Sequence, residues 1–401
     1  MPEKRESEPD RIMDKIARLI DRFPVILAVT FLLLGTLLCW YIFSKYQNTN
    51  IYYLLNVINL VSVFLLIVAA TRHQNYKIRT ALLLSAASML LVLTVYDFYL
   101  ITFDYDTSGP GGENVITHRH WFNKYVSKNE YGFWERSLAR FENPDNRNRE
   151  LVIAVVGDSF TWGQGVKGNS YRLTEQLEQR LNSTPHAKDV RVLNFGKGGA
   201  DTVRELEVVK KYVSKIHPDI VLICYLSNDI DSDSFISYLK DYGDTVERLS
   251  TISPTINFLY WRLIGPNKYR NIGLKYMNGL VDFYENPELF NKHMDDLDTL
   301  FKDVKSMGAQ PIFVLMPFPQ MWKMFPGETR NNIYNRIKRA VTNAGIPIID
   351  LSYIEEKYTL EEFQVNCFDA HPNEKMHEEF AGKIYQGLVN NPEIANLLKK
   401  Q

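Results

Sequence analysis

Ser159 lies in VVGDSFTWGQGV (155–166), where an apolar run ends at Gly157-Asp158 and a glycine-bearing loop begins. Three chemistries are open to a hydroxyl at such a junction: capping a helix, contacting a phosphate, or attacking a carbonyl. The phosphate reading lacks a lysine and a true glycine-rich cradle. Far along the chain, CFDAHPN (367–373) supplies Asp369 and His371. A serine oxygen becomes a nucleophile when an imidazole takes its proton, and a carboxylate on the other ring nitrogen fixes the tautomer. Pro372 disfavours helical angles at His371, and in extended chain residues i and i+2 project to one side. Asp369 and His371 are therefore spaced to address each other. A tetrahedral oxyanion needs preorganised donors. The candidates are the backbone N–H groups of Ser159 and of Gly199 in NFGKGGADT (194–202), with the side-chain amide of Asn228 in LSNDID (226–231). Asp158 and Asp229 are expected to order the loops beside Ser159 and Asn228, and Trp162 and Trp261 are candidate substrate-binding aromatics.

These residues work together only if one architecture gathers them. LVIAVVG (151–157) is a continuous apolar run, as expected of a strand covered on both faces. Strand-like VRVLNFG, PDIVLICYL, AQPIFVLMPF and IPIIDL follow, each preceded by a stretch of helical period such as SYRLTEQLEQRLN or DTVRELEVVKKYVSKI. Alternation of this kind predicts an α/β fold with a parallel sheet between helical layers. Ligands in such folds sit beyond the carboxyl ends of the strands, which is where Ser159, Gly199, Asn228 and the Asp369–His371 pair fall. An aromatic-rich insertion, about 231–290, interrupts the alternation. It reads either as a helical subdomain with its own small core or as a wall or lid over the site.

Gly157-Asp158-Ser159, Gly199, Asn228-Asp229 and Asp369 with His371-Pro372-Asn373 resemble the successive blocks of the SGNH (GDSL-type) hydrolase family. The resemblance covers about 151–388 apart from the insertion. It implies a flavodoxin-like three-layer parallel sheet, a Ser-His-Asp triad and an oxyanion hole from Ser, Gly and Asn. Thr161 replaces the second glycine of a G-x-S-x-G elbow, which disfavours an ordinary α/β-hydrolase. This chain departs from the family at Leu226, where glycine is usual, at the one-residue gap between Asp369 and His371, and at Met376.

The amino-terminal part is of another kind. The runs 24–43 and 51–71 carry no charge, and a third from Thr80 to 103 meets only Asp97. Each is long enough for a bilayer core of ~30 Å at ~1.5 Å per residue, so three transmembrane helices are expected over 24–103. Lys4, Arg5, Arg11, Lys15, Arg18 and Arg22 precede the first run, and Arg72, Lys77 and Arg79 fall between the second and third. Basic residues stay cytoplasmic, which places the N-terminus inside and everything after about 104 outside. Residues 1–23 form an amphipathic cytoplasmic segment, 104–150 a linker expected to pack on the domain, and 151–401 the hydrolase-like domain. The expected location is a bacterial inner membrane, with the domain periplasmic or extracellular.

With 46 basic and 47 acidic residues, the formal charge of −1 argues against a nucleic-acid partner. Cys39 falls inside the first apolar run, while Cys224 and Cys367 lack metal-site spacing and read as packed thiols, with a bridge between those two left open. No cofactor and no metal are expected. The reading is a membrane-anchored serine esterase or O-acyltransferase acting on acyl, in particular acetyl, esters of a cell-envelope polysaccharide. Its partners would be that glycan, the lipid bilayer and a membrane acyltransferase. A catalytically silent glycan-binding or scaffold subunit and an envelope lipase are the alternatives.

Overall fold

The computed structural model describes residues 116–143, 150–183, 189–230, 260, 263–318, 325–366 and 369–399. The chain divides into two compact units, and nearly all of these residues belong to the one formed by 106–244 and 264–401. The three apolar runs of 24–103, the segment 1–23 and Trp261 lie outside the described residues, as does Cys367. Among the described residues no helix is long and apolar enough to cross a membrane.

Five parallel strands form the sheet: β1 (Leu151–Gly157), β2 (Val190–Asn194), β3 (Ile220–Tyr225), β4 (Gln310–Leu315) and β5 (Ile348–Asp350), in the order β2-β1-β3-β4-β5. Every residue of β1 and of β3 is buried, because helices cover both faces. Each Val or Ile so enclosed contributes about 1.5–3 kcal/mol relative to exposure. The chain winds one way from β1 to β2 and the other way from β3 to β5. With right-handed crossovers this reversal sends helices to opposite faces and opens a crevice between the carboxyl ends of β1 and β3.

Helix α1 (Ile116–Tyr125) precedes the sheet. A single turn, α2 (Ser159–Trp162), follows β1 and leads to α3 (Leu173–Asn182), while α4 (Thr202–Lys211) follows β2. Between β3 and β4 stand α5 (Gly265–Glu285) and α6 (Pro287–Ser306), and α7 (Gly327–Asn343) precedes β5. Short turns α8 (Ile354–Lys357) and α9 (Leu360–Phe363) lead to a small antiparallel hairpin of β6 (Gln364–Asn366) and β7 (Asp369–Pro372). Helices α10 (Glu374–Asn390) and α11 (Pro392–Leu398) end the fold. Leu173, Leu177 and Leu181 of α3 face Phe380, Ala381, Ile384 and Leu388 of α10 in one core, and α4 packs on α6 in the same way. The predicted first strand coincides with β1, while the other predicted strands and the quoted helical stretches are longer than those formed. The helical stretch after β2, for example, breaks at Tyr212 and finishes as a 3-10 turn.

Two segments outside the strand–helix alternation are tied into the main fold. Residues 121–136 pack on the domain: Trp121 Nε1 donates to the Val166 carbonyl at 2.8 Å, and Asn194 N–H donates to Glu135 at 2.7 Å. Of the two readings of the insertion, a subdomain with a separate core fails for its helical end. Tyr276, Met277, Leu280 and Tyr284 of α5 belong to the main core. Residues 231–259 lie outside the described residues.

Candidate active site

Gly157 ends β1 where space is already taken. A Cβ there would meet Thr161 Oγ1 at 2.1 Å and the Cys224 carbonyl at 2.9 Å, so only glycine lets the chain turn tightly beside β3. Asp158 then caps α2, its carboxylate accepting from Phe160 N–H at 2.8 Å. The capping alternative for Ser159 is thereby excluded, because its neighbour fills that role. Ser159 is the first residue of the turn, and its hydroxyl lies 3.4 Å from Asp158 Oδ2.

His371 Nε2 lies 2.8 Å from Ser159 Oγ across 212 positions of sequence. On the other side of the ring, Nδ1 bonds Asp369 Oδ1, and the same oxygen accepts the His371 backbone N–H at 3.1 Å. Both residues stand on β7, which holds them extended and pointing one way. The Phe160 ring meets the imidazole edge-on at 5.5 Å, a second restraint on its plane. Burial pulls the His371 pKa down, but the charge and hydrogen bond of Asp369, together with the charge of Asp158, outweigh it and hold the imidazole above its ordinary value. The Nε2 lone pair is thus aimed at the hydroxyl proton, with a carboxylate behind to steady the imidazolium that transfer would create.

The remaining site residues arrive on the neighbouring strand ends. Gly199 follows β2 with φ +68, a left-handed angle that suits glycine. Asn228 sits in the 3-10 turn Ser227–Ile230 after β3. Its amide bonds the Asp158 carboxylate, which brings the Asn228 side chain beside the serine turn, and its Oδ1 has no partner among the described residues. Asp229 closes that turn on itself: Leu226 N–H donates to Oδ2 at 2.7 Å, and Asp229 N–H returns to the Leu226 carbonyl at 3.0 Å. Trp162 is half-buried, with its ring 5.6 Å from that of Trp121 and 6.1 Å from that of Trp134. That packing holds one part of the Trp162 ring while another stays exposed. His377, on α10, is fully buried; its Nδ1 accepts from Leu173 N–H, and burial lowers its pKa to about 3. Asn182, in a glycosylation-like NST, spends its side chain on both backbone groups of Val190.

Three residues that matter here were not singled out from the sequence. Phe160 restrains the imidazole, as above. Asn194 closes β2 and reaches the Thr161 carbonyl at 2.7 Å and Gly196 N–H at 2.9 Å, locking the serine turn to the glycine loop. A polar residue ending the apolar run VRVLN was the available signal. Glu205 on α4 is buried with neither carboxylate oxygen partnered among the described residues. Burial, then the charges of Asp158 and Asp201, push its pKa well above the usual range, and Asp229 is raised in the same way by burial and by Glu205. Nothing in the pattern of DTVRELEVVKK marks that glutamate as buried. Among the described residues no group of His, Cys, Asp and Glu is arranged to hold a metal ion.

Residues 155–379, which span β1 through most of the carboxyl-terminal fold, match the model of the GDSL-like Lipase/Acylhydrolase family. No match was found among the curated proteins. Among solved structures, a lipase/acylhydrolase from Enterococcus faecalis is similar at 18% identity over 63% of this chain and 99% of its own, with a TM-score of 0.39. The acetyl xylan esterase AlAXEase is similar at 12% identity over 60% of this chain and 100% of its own, with a TM-score of 0.38. A two-domain esterase active on acetylated mannans is similar at 14% identity over 66% of this chain and 55% of its own, also with a TM-score of 0.38. The family match takes in more than half of the chain and carries every block from the serine turn to the imidazole. The chain accordingly belongs to the GDSL-like lipase/acylhydrolase family and is an ester-hydrolysing enzyme.

Proposed function

We propose that the protein is a membrane-anchored serine esterase or O-acyltransferase that works through a Ser159–His371–Asp369 triad and an acyl-enzyme. The observation that carries this reading is the 2.8 Å approach of His371 Nε2 to Ser159 Oγ, with Asp369 on the opposite ring nitrogen. Ser159 Oγ adds to the acyl carbonyl as His371 takes its proton. The oxyanion is met by the N–H groups of Ser159 and Gly199 and by the Asn228 amide, which turns from Asp158 toward the substrate oxygen. His371 then returns the proton to the departing alcohol oxygen as the tetrahedral centre collapses. Water resolves the acyl-enzyme in an esterase, while a sugar hydroxyl resolves it in a transferase, with His371 again acting as base.

The three apolar runs of 24–103 and their flanking basic residues support an anchor in a bacterial inner membrane, with the N-terminus cytoplasmic and the catalytic domain outside. A domain so placed meets envelope polysaccharide, which favours acyl esters of a glycan, acetyl esters in particular, as substrate and a membrane acyltransferase as partner. The full chain in detergent, given an acetyl ester together with a glycan acceptor, is expected to release acetate or to pass it to the glycan. Replacing Ser159 by Ala should abolish both outcomes and prevent labelling by a fluorophosphonate, with a fall in kcat of about 10³-fold or more. Full activity in S159A overturns the triad. Absence of a Ser159 adduct in folded wild-type protein favours the silent scaffold subunit instead.

A further inference from the structure

We propose that Tyr284, near the end of α5, is a positioning residue that holds the Ser227–Asn228 peptide, and through it the Asn228 amide, in place for the oxyanion. The inference rests on the reading of Asn228 as an oxyanion donor given above.

Four buried groups form one chain of hydrogen bonds. Tyr284 Oη lies 2.8 Å from the Ser227 carbonyl oxygen, 2.6 Å separates it from Tyr225 Oη, and Tyr225 Oη lies 2.8 Å from His293 Nε2. The proton count fixes the direction. A carbonyl only accepts, so Tyr284 donates its single proton to Ser227. Tyr284 must then accept from Tyr225, whose proton is spent in turn, which leaves His293 Nε2–H as donor at the far end. The ring can play that part while neutral, and burial lowers its pKa to about 3. A chain whose members all point one way is polarised and stiff in a low-dielectric interior.

The chain anchors the backbone of the turn that carries Asn228. Asp229 closes the turn after β3 upon itself, through Leu226, and the Asn228 side chain reaches across to Asp158. Tyr284 ties that turn to α5, and Tyr225 and His293 extend the tie to β3 and α6. The anchor point is itself held, because the Arg336 guanidinium donates to the Tyr284 carbonyl and stacks at 3.9 Å over Phe290. The Ser227 carbonyl and the Asn228 N–H belong to the same planar peptide, so fixing that oxygen fixes where Asn228 begins. A donor must stand where charge will develop, and a small displacement is felt in the transition state more than in substrate binding. The helix that interrupts the strand–helix alternation thus acts as a brace for the site.

A double-mutant cycle on the full chain tests this, with kcat and KM measured on an aryl acetate and folding checked by the thermal midpoint. Tyr284→Phe is expected to lower kcat about 10-fold while KM stays within about twofold. In the N228A background the same change should cost less than about twofold, since the amide it positions is gone. An equal fall in both backgrounds, or an unchanged kcat in Y284F, overturns the proposal while leaving Asn228 as donor. An unchanged kcat in N228A overturns the assignment of Asn228 and the proposal with it. If Y284F does not fold, Tyr225→Phe removes the proton that Tyr284 accepts and the oxygen that His293 meets, while the Tyr284 hydroxyl that bonds Ser227 stays. A smaller kcat defect that vanishes in N228A supports the brace, and one that persists there overturns it.

Discussion

In the proposed triad, a proton on His371 decides whether Ser159 can lose its own. In the proposed mechanism the free enzyme is active when the imidazole is neutral, so kcat/KM rises as pH rises through the His371 pKa. Asp369 and Asp158 hold that pKa above the ordinary imidazole value against the pull of burial. The ascending limb of the pH profile is therefore expected above about 6.5. Replacing Asp369 by Asn should move the limb to lower pH and cut kcat by about 10³–10⁴-fold, because charge and tautomer control go together. Replacing Asp158 by Asn should shift the limb the same way, since its charge acts on the ring. A wild-type limb at or below the ordinary value, or one that does not move in either variant, contradicts the assigned electrostatics.

The loops that carry the site are held by contacts that admit no side chain. At Gly196, just past β2, a Cβ would lie 2.3 Å from the Trp162 backbone nitrogen and 2.7 Å from the Thr161 carbonyl carbon. Backbone cannot yield as a flexible side chain does. Gly196→Ala is expected to lose about 1–3 kcal/mol, read as a lower urea midpoint, and to lose activity because the glycine loop and serine turn part. Gly199→Ala meets no atom within 4 Å but must adopt φ +68, so backbone strain alone opposes it. The G196A loss should therefore be the larger. Equal midpoints for the two variants would refute the packing difference. From the sequence, NFGKGGADT singled out Gly199 as a donor but gave no sign of the tight contact at Gly196, since what that glycine touches lies on another segment.

Across the whole molecule, the buried acids beneath the crevice link stability to pH. Burial first, then mutual repulsion, raises Glu205 and Asp229 well above the carboxylate range. Between the unfolded pKa near 4 and the raised folded value, the native state holds protons that the unfolded chain has released. Stability must then fall as pH rises through that window, at up to about 1.4 kcal/mol per pH unit for each such proton. Glu205→Gln removes one of these protons from the balance without changing the shape of the side chain. Urea unfolding between about pH 5 and pH 9 should show a shallower decline for E205Q than for the wild type. Parallel curves would mean that Glu205 is ionised in the folded protein.

Local pattern alone determined the frame and named the candidate reacting groups. Seven apolar residues ending at Gly157 can be satisfied only by cover on both faces, and that cover dictates a parallel sheet flanked by helices. A serine at one strand end and Asp-x-His-Pro near another are visible because residue type and spacing are local properties. Other features were settled only when distant segments met. Whether Asp158 or Ser159 capped the turn, which rings Trp162 packs against, and whether α5 built its own core or joined the main one all depend on such contacts. Periodicity reports which face of an element is buried, but not which partner buries it. For that reason Tyr284, an unremarked aromatic in an insertion, could be tied to Ser227 only by the fold.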